Sequence, residues 1–519
     1  MQFQDISILI PAKSSAEFII PKIQFLKEYL QENWKARFEI IVSLNGGDDE
    51  IRECYNLVNQ AFPNDEIVIA HKHYFPKGKG AALQSASMFA QYPVVAFIDS
   101  DLPFDLDFFK QGMKCINEGS QLVAGNRRLP ESLFSIPVPL LSFVYKRHLS
   151  GLLYNWVVRK IFSLDIKDTQ CGIKMMTKSF SDHFFGMLSC YGFSFDVEMF
   201  ILAKERDYKI SSIPVNLKLS SEKSTLTLTF EMFRALLWFF IFKRKQIRGE
   251  YSKKEDFSKD QLKRLHFTSD DWGISEGVNE AILVLAQKGV IKRVSIMSNA
   301  KHTDYLLEEL KKLSTVELGL HFNLTNGQLL GQNYKYLTPD SSSSYSLMSL
   351  LKKSLFGFKK LPKNFLEEAR EEFKLQVENL RGKQVELSYF DSHHHIHLLP
   401  GMLEAIGLSA MSYHMKQTRL VIYKPLPLSS KIILHFLSLK ARKVLNLLEL
   451  RSLPMAYPGA QSFLYASKLR NELMSLEEET EIIVHPSVMG DLHLLPESYQ
   501  DEYNGERVRE YWALKSLVD

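Results

Sequence analysis

The chain has 519 residues, a formal net charge of +4, a hydrophobic share of 45% and a charged share of 24%. This length exceeds what one hydrophobic core supports, so two or three domains are expected, and the composition excludes a disordered or fibrous chain. The mild charge, with no Lys/Arg tract interleaved with aromatics, argues against a nucleic-acid partner, and four cysteines without C-x-x-C spacing (Cys54, Cys115, Cys171, Cys190) argue against a disulfide scaffold or zinc knuckle and for a reduced, cytoplasmic setting.

The segment MQFQDISILIPAK starts a strand without a basic leader, and no stretch reaches about 18 uncharged apolar residues, so neither export nor a transmembrane span is expected. ISILIP (6–11) and FEIIVSLNGG (38–47) are apolar runs ended by Pro or Gly with a helical stretch between them, a βαβ pattern that predicts parallel strands. VVAFIDSDLPFDLDFF (94–109) reads as a buried strand ending in Asp99-Ser100-Asp101. Carboxylates two apart at a strand end suit Mg²⁺ or Mn²⁺ bridging a diphosphate, although an isolated D-x-D is more often a surface accident.

Four further blocks follow: FPKGKGAALQSA (75–86), LVAGNRR (122–128), DTQCGIKMM (168–176) and GFSFDVEMFILAKERDYKISSIPV (192–215). Over about residues 5–225, these blocks in this order resemble the family 2 glycosyltransferases, and within them the polyprenyl-phosphate sugar transferases of the dolichyl-phosphate type. The resemblance implies an inverting enzyme of α/β class with a GT-A-type, Rossmann-like fold, in which Asp99 and Asp101 bind a divalent metal and the diphosphate of a UDP-sugar. Pro11, Asn45 and Lys79 would complete the donor site, and Arg127 and Arg147 would clamp the lipid phosphate and leaving diphosphate, because guanidinium meets phosphate in bidentate fashion. Lys146 and Arg159 read equally well as solvated helix charges, and Asp168 and Asp196 as structural or catalytic groups. An acceptor phosphate is already ionised at neutral pH, so such a transfer needs positioning and charge neutralisation more than a strong base. The chain departs from the family where Leu44-Asn45 replace two consecutive acids and Lys13-Ser14-Ser15 replace an Asn-Glu region.

Two segments suit a bilayer surface: LFSIPVPLLSFVYKRHLSGLLYNWVVRKIF (133–162) and TFEMFRALLWFFIFKRK (229–245) combine aromatics and aliphatics with flanking cations. Inter-domain packing or a homo-oligomer interface are the other readings of these faces. The charged segment 243–263 is the natural linker, giving a transferase domain at 1–228, a surface helix and linker at 229–263, and a second catalytic domain at 264–519.

In that last part, HFTSDDWGISEGVNEAI (266–282) runs from an apolar strand through paired carboxylates and a Gly turn into a helix. VELGLHFNLTNG (316–327) is an alternating strand carrying His321, SSSSYS (341–346) a polar loop, and NFLEEAREEFKLQVENL (364–380) an amphipathic helix. The short strand LSYF (387–390) leads into DSHHHIH (391–397), where four imidazoles and a carboxylate fall within seven residues. An extended chain would aim Asp391, His393, His395 and His397 at one face able to hold a cation; a polar strand end with solvated histidines is the plain alternative.

With IIVHPS (482–487), these blocks resemble the YdjC-like carbohydrate deacetylases, relatives of the polysaccharide deacetylases. The resemblance runs from about His266 onward and implies a distorted (β/α) barrel with Asp271, His321 and His393 on a divalent metal (Mg²⁺ or Zn²⁺), Asp270 as general base and His485 as acid. From the residues alone, Asp270 also reads as a helix N-terminal carboxylate and His485 as a core histidine beside Pro486. Trp272 and Ile274 replace the family's Phe and Leu, and the Ser/Lys-rich stretch 331–362 is expected to reshape a substrate lid.

Joined in one chain, the two resemblances predict successive steps on the inner face of the cytoplasmic membrane: transfer of an N-acetylhexosamine from a UDP-sugar to polyprenyl (undecaprenyl) phosphate, then N-deacetylation, for lipid A or another envelope glycan. Two other arrangements fit the sequence: a transferase for another acceptor joined to an independent chito-oligosaccharide deacetylase, or an inactive transferase module that tethers the hydrolase to a membrane.

Overall fold

A computed structural model of the chain describes residues 4–13, 16–74, 77–135, 141–218, 228–252, 258–337, 347–354, 359–420, 431–452, 455–457, 479–488, 491, 504–515 and 517. Packing divides it into two compact units, the first running to Glu255 and the second from Asp256 to Val518.

The first unit contains strands β1 (Ile6–Ala12), β2 (Phe38–Leu44), β3 (Val68–Lys72), β4 (Val94–Ile98), β5 (Leu122–Asn126), β6 (Leu133–Ser135), β7 (Ile173–Thr177), β8 (Ile210–Pro214) and β9 (Asn216–Lys218). Seven of them form a sheet in the order β3-β2-β1-β4-β7-β5-β8, while β6 and β9 pair separately. Ile6, Ile8, Leu9 and Ile10 are fully buried, as are Val94 to Ile98, so both faces of the central strands are covered. Such strands pair in parallel because the crossover helices shield them from both sides. Accordingly β1 pairs in parallel with β2 and β4, and only β7 runs antiparallel to its neighbours. The helix Ala16–Asn33 supplies one cover, burying Ala16, Ile19, Ile23, Leu26 and Leu30 at helical spacing. The order brings the C-terminal ends of β1, β2 and β4 to one edge, where open α/β sheets place ligands.

The expected surface segments are the helices Leu141–Phe162 and Leu228–Ile247. They pack on each other through Tyr154, Phe162, Phe239 and Phe242, with Tyr154 and Phe239 centroids 5.3 Å apart. Trp156 and Phe240 remain 59% and 73% exposed. Among the described residues no helix is long and apolar enough to cross a membrane.

The second unit contains β10 (Leu265–Trp272), β11 (Ile291–Ile296), β12 (Glu317–Phe322), β13 (Tyr389–Ser392), β14 (Gln417–Thr418), β15 (Arg451–Ser452), β16 (Met455–Tyr457) and β17 (Thr480–Val484). They form one sheet in the order β15-β14-β13-β12-β11-β10-β17-β16, and every pairing is parallel. No ladder joins β15 to β16 among the described residues. Helix Glu276–Gln287 starts at Ser275, whose Oγ accepts from Val278 N. The expected amphipathic helix spans Lys363–Gly382, while SSSSYS lies outside the described residues.

One expectation fails. The strand stops at Ser392, and His393–Leu398 form a 3₁₀ turn in which His394 and His395 both have φ of 54°. Left-handed backbone at two successive residues ends the alternation that would have aligned His393, His395 and His397. The turn is closed by Ser392 Oγ, which accepts from His397 N at 2.9 Å and pairs with His397 Nδ1 at 2.6 Å. His397 Nε2 in turn donates to Arg419 O at 2.9 Å, a structural role, and the His395 ring lies beside it at 6.4 Å.

Candidate active sites

In the second unit, β10 delivers two carboxylates. Adjacent residues of a regular strand point to opposite faces, yet Asp270 and Asp271 both approach His321. A register shift between Ser269 and Trp272 and a φ of 68° at Asp271 explain this: the backbone bulges and re-aims both side chains. β12 supplies His321, and the start of the 3₁₀ turn supplies His393.

Asp271, His321 and His393 are all buried and offer ligand atoms within 4.8 Å of one another. Asp271 Oδ1 lies 2.9 Å from His393 Nδ1 and 3.3 Å from His321 Nε2. His321 turns Nε2 to the cluster because its Nδ1 bonds Asp391 Oδ1 at 2.6 Å, a carboxylate-to-imidazole bond of the kind that fixes ligand histidines. Burial opposes charge on His321, but Asp391 and Asp270 outweigh it and push the imidazole up to about 10. The surroundings are therefore strongly anionic. One carboxylate and two imidazoles in this arrangement match the donor set of divalent-metal hydrolases.

A second buried group, Asp270, His321 and Asp391, shares His321. The Arg419 guanidinium serves it: Nη1 and Nη2 donate to Asp270 at 2.6 and 2.9 Å, and Nη2 also lies 2.8 Å from Asp391 Oδ2 and 3.2 Å from Glu481 Oε1. Burial would raise the Asp270 carboxyl, but Arg419 holds it well below the usual carboxylate range. The fork thus favours the ionised form of Asp270 and fixes its orientation.

Helix Asn504–Lys515 brings in Arg507 and Glu510. Arg507 Nη2 donates to Asp271 Oδ2 at 2.7 Å, and Glu510 Oε2 accepts from His485 N at 2.6 Å. His485, directly after β17, is close enough to Asp270 to help lower its carboxyl. Sequence reasoning missed Arg419, Glu481, Arg507 and Glu510. Arg419 directly follows β14, and that place at a strand end is the local signal it carries.

Asp491, six residues beyond His485, accepts from Ser275 Oγ at 2.9 Å and Gly277 N at 3.1 Å, capping helix Glu276–Gln287. Burial pushes its carboxyl up to about 6. The unfolded carboxyl ionises near 3.9, so between about pH 4 and 6 the folded chain binds the extra proton and stability falls as pH rises. Asp491→Asn is expected to flatten that slope in denaturant titrations of the wild type and variant at pH 4, 5, 6 and 7.

In the first unit, Asp99 follows β4 and pairs with Lys79 Nζ. Lys79 begins a helix after Gly78, whose φ of 141° and whose added Cβ, 2.1 Å from Tyr191 O, admit only glycine. A Cβ at Gly172 would fall 2.0 Å from Asp99 Oδ2, so the D-T-Q-C-G block clears space for that carboxylate. Burial and the neighbouring Asp99 both raise the Asp101 carboxyl, as expected where two anions face one another. Pro11 pairs with Ser43 and Asn45 N donates to Ala12 O at 2.8 Å, which sets both at the same sheet edge; Leu44 is buried there.

Arg127 meets Asp168 through Nε at 2.7 Å and Nη2 at 2.9 Å, with its backbone N donating to the same carboxylate at 3.0 Å. Lys174 bonds Asp196 at 2.5 Å. These two aspartates therefore hold cations in place. The Arg147 side chain lies outside the described residues.

The sheets and their edges define two classes: an open α/β domain with acids beyond its central strands, and a parallel barrel-like domain with a buried Asp-His-His cluster. Residues 7–155 match the family described as glycosyl transferase family 2, and residues 264–517 match the family described as YdjC-like protein. The chain carries a family 2 glycosyltransferase domain followed by a YdjC-like domain. A dolichyl-phosphate beta-glucosyltransferase of Trichomonas vaginalis is 26% identical over 221 residues, covering 40% of this chain and 62% of that protein. Carbohydrate deacetylase 1 of Listeria innocua is 30% identical over 133 residues, covering 26% of this chain and 52% of that protein. The matches thus span less than two thirds of each relative. A putative cellobiose-phosphate cleavage protein of Enterococcus faecalis covers 49% of this chain and 90% of its own at 19% identity, with a TM-score of 0.36.

Proposed function

We propose that this chain is a bifunctional enzyme that transfers an N-acetylhexosamine from a UDP-sugar to polyprenyl phosphate and then N-deacetylates the lipid-linked sugar. The observation that carries the hydrolytic half is the buried Asp271, His321 and His393 cluster beside an arginine-held Asp270. A divalent cation, Mg²⁺ or Zn²⁺, held by those three residues would polarise the acyl oxygen and lower the pKa of bound water. Asp270 accepts the proton of the attacking water, and its fixed fork to Arg419 keeps the receiving oxygen aimed without reorganisation. His485, its backbone held by Glu510, supplies the proton to the departing amine. Acetate and a free amine result.

In the transferase half, Asp99 and Asp101 would hold Mg²⁺ or Mn²⁺ with the donor diphosphate; the raised Asp101 carboxyl favours a cation between them. Lys79, Pro11 and Asn45 line the same edge, and Arg127, with Arg147, neutralises the phosphates. The exposed Trp156 and Phe240, on helices that also carry Arg159, Lys160 and Arg244, suit the headgroup layer of the inner face of the cytoplasmic membrane, where the acceptor resides. The amine-bearing product would serve lipid A or another envelope glycan. The domain limits proposed are 1–228, 229–263 and 264–519.

The test supplies UDP-N-acetylglucosamine, undecaprenyl phosphate in liposomes and a divalent cation, and follows the lipid by mass spectrometry. Wild type should yield the deacetylated lipid-linked sugar. Asp99→Asn is expected to lower UDP release at least a hundredfold and to leave deacetylation of a supplied lipid-linked sugar unchanged. Absence of UDP release from wild type with any N-acetylhexosamine donor would overturn the transferase half.

A further inference from the structure

Glu198, on the helix Phe195–Glu205, is buried away from the acids of the donor edge and joins two distant parts of the first unit. Its Oε2 accepts from the backbone N–H groups of Ser189 and Cys190 at 2.9 and 3.0 Å, and its Oε1 takes the Ser189 hydroxyl. The same Oε1 accepts from Lys245 Nζ at 3.1 Å and from the Tyr251 hydroxyl at 3.0 Å. Lys245 lies in the last turn of the helix Leu228–Ile247, and its ammonium also sits 4.9 Å from the centre of the Tyr251 ring. Burial and the Glu198 carboxylate hold the Tyr251 phenol far above its usual value, so it stays a donor.

What Glu198 fixes is the backbone beside the donor-site lysine. Tyr191 O, one residue beyond Cys190, accepts from Gly80 N at 2.9 Å. The fit is close: a Cβ at Gly80 would come within 2.9 Å of Cys190 O, as one at Gly78 would meet Tyr191 O. These glycines flank Lys79, whose ammonium pairs with Asp99 and lies 5.9 Å from the ring centres of both Phe97 and Phe195. Lys79 is therefore seated on backbone that Glu198 holds.

We propose that Glu198 is a positioning residue that makes donor affinity at Lys79 and Asp99 depend on how the last turn of helix Leu228–Ile247 is seated, an inference that rests on the transferase reading above. A carboxylate suits this task because its two oxygens can serve the 189–190 amides and the helix cation at once. Without Lys245, Glu198 is a buried charge short of a partner, and its pull on those amides changes. Small displacements then matter, since phosphate recognition depends on fixed geometry. Phe240 and Ile241 of the same helix are exposed, so a lipid surface that seats this helix would also ready the donor site.

Calorimetric titration of the full chain with UDP and Mn²⁺ tests this without turnover. Substitutions in the middle of such a network change coupling by about three- to thirtyfold, and Lys245→Met is expected to weaken UDP by that factor. Lys245→Arg keeps the cation and should bind as wild type does. In turnover, Lys245→Met should raise KM for the UDP-sugar by the same factor and leave kcat unchanged, whereas loss of folded protein would lower kcat alone. Hydrogen exchange at the Ser189, Cys190 and Gly80 amides should be faster in Lys245→Met than in wild type. Unchanged UDP affinity in Lys245→Met, or a fall in kcat alone, overturns the role of Glu198 and leaves the donor site standing. Failure of wild type to bind UDP with Mg²⁺ or Mn²⁺ overturns the transferase reading instead, and the exchange rates then decide whether Glu198 joins the helix to the Lys79 turn. Should Lys245→Met not fold, Tyr251→Phe, which removes one hydrogen bond and no charge, carries the same measurements.

Discussion

Replacing His393 by alanine is expected to lower metal-dependent acetate release by about a thousandfold or more, while UDP release by the first unit stays at the wild-type rate. A cation acting on an acyl carbonyl is worth several kcal/mol in the transition state, and each 1.36 kcal/mol is tenfold in rate. With His393 gone, Asp271 and His321 are a pair and no longer a three-donor site. The fold should survive, because Asp271 keeps Arg507 and His321 as partners at 2.7 and 3.3 Å, so no buried carboxylate is left uncompensated. The two units are separately compact, which is why transfer should be untouched. Acetate release, Zn²⁺ binding and thermal unfolding measured on one preparation separate these effects. Acetate release near the wild-type rate would remove His393 from the centre.

Arg419→Leu should have the largest effect on stability. The guanidinium is fully buried and meets Asp270, Asp391 and Glu481. Removing one member of a buried charge network typically costs about 3–5 kcal/mol, and here three carboxylates lose a common partner. For a unit of this size that corresponds to a fall in melting temperature of roughly 10 °C. Burial already raises Glu481. Without Arg419 it should take up a proton more readily still, so the deficit should shrink as pH falls. Adding Glu481→Leu should restore part of the loss. An unchanged melting temperature at pH 8 would mean that water or another cation takes the arginine's place.

The parts of this architecture that were legible in the sequence share one property: their signal is local. β1 and β4 are continuous apolar runs because both faces are covered, and Asp270-Asp271 stand out because two acids end such a run. The histidine turn was misjudged for a physical reason. A period of two assumes extended backbone; histidine visits positive φ more often than most residues, but nothing in the letters HHH says that His394 and His395 are the ones that do. The supporting charges were illegible because each is a lone residue: Arg419 is 149 positions from Asp270, and Arg507 is 236 from Asp271. The glycines at 78 and 172 belonged to recognisable blocks, yet that Gly172 clears room for Asp99 emerges only once β4 and β7 lie side by side.

The Arg507 to Asp271 pair spans 236 positions. During translation, a nascent polypeptide would display β10 and its acidic end long before the ribosome has produced the helix that neutralises it. The N-terminal unit can mature in that interval, since domains generally acquire structure in order of synthesis. In that order of synthesis the surroundings of Asp271 stay incomplete until the helix Asn504–Lys515 has been made, however early the sheet itself is finished.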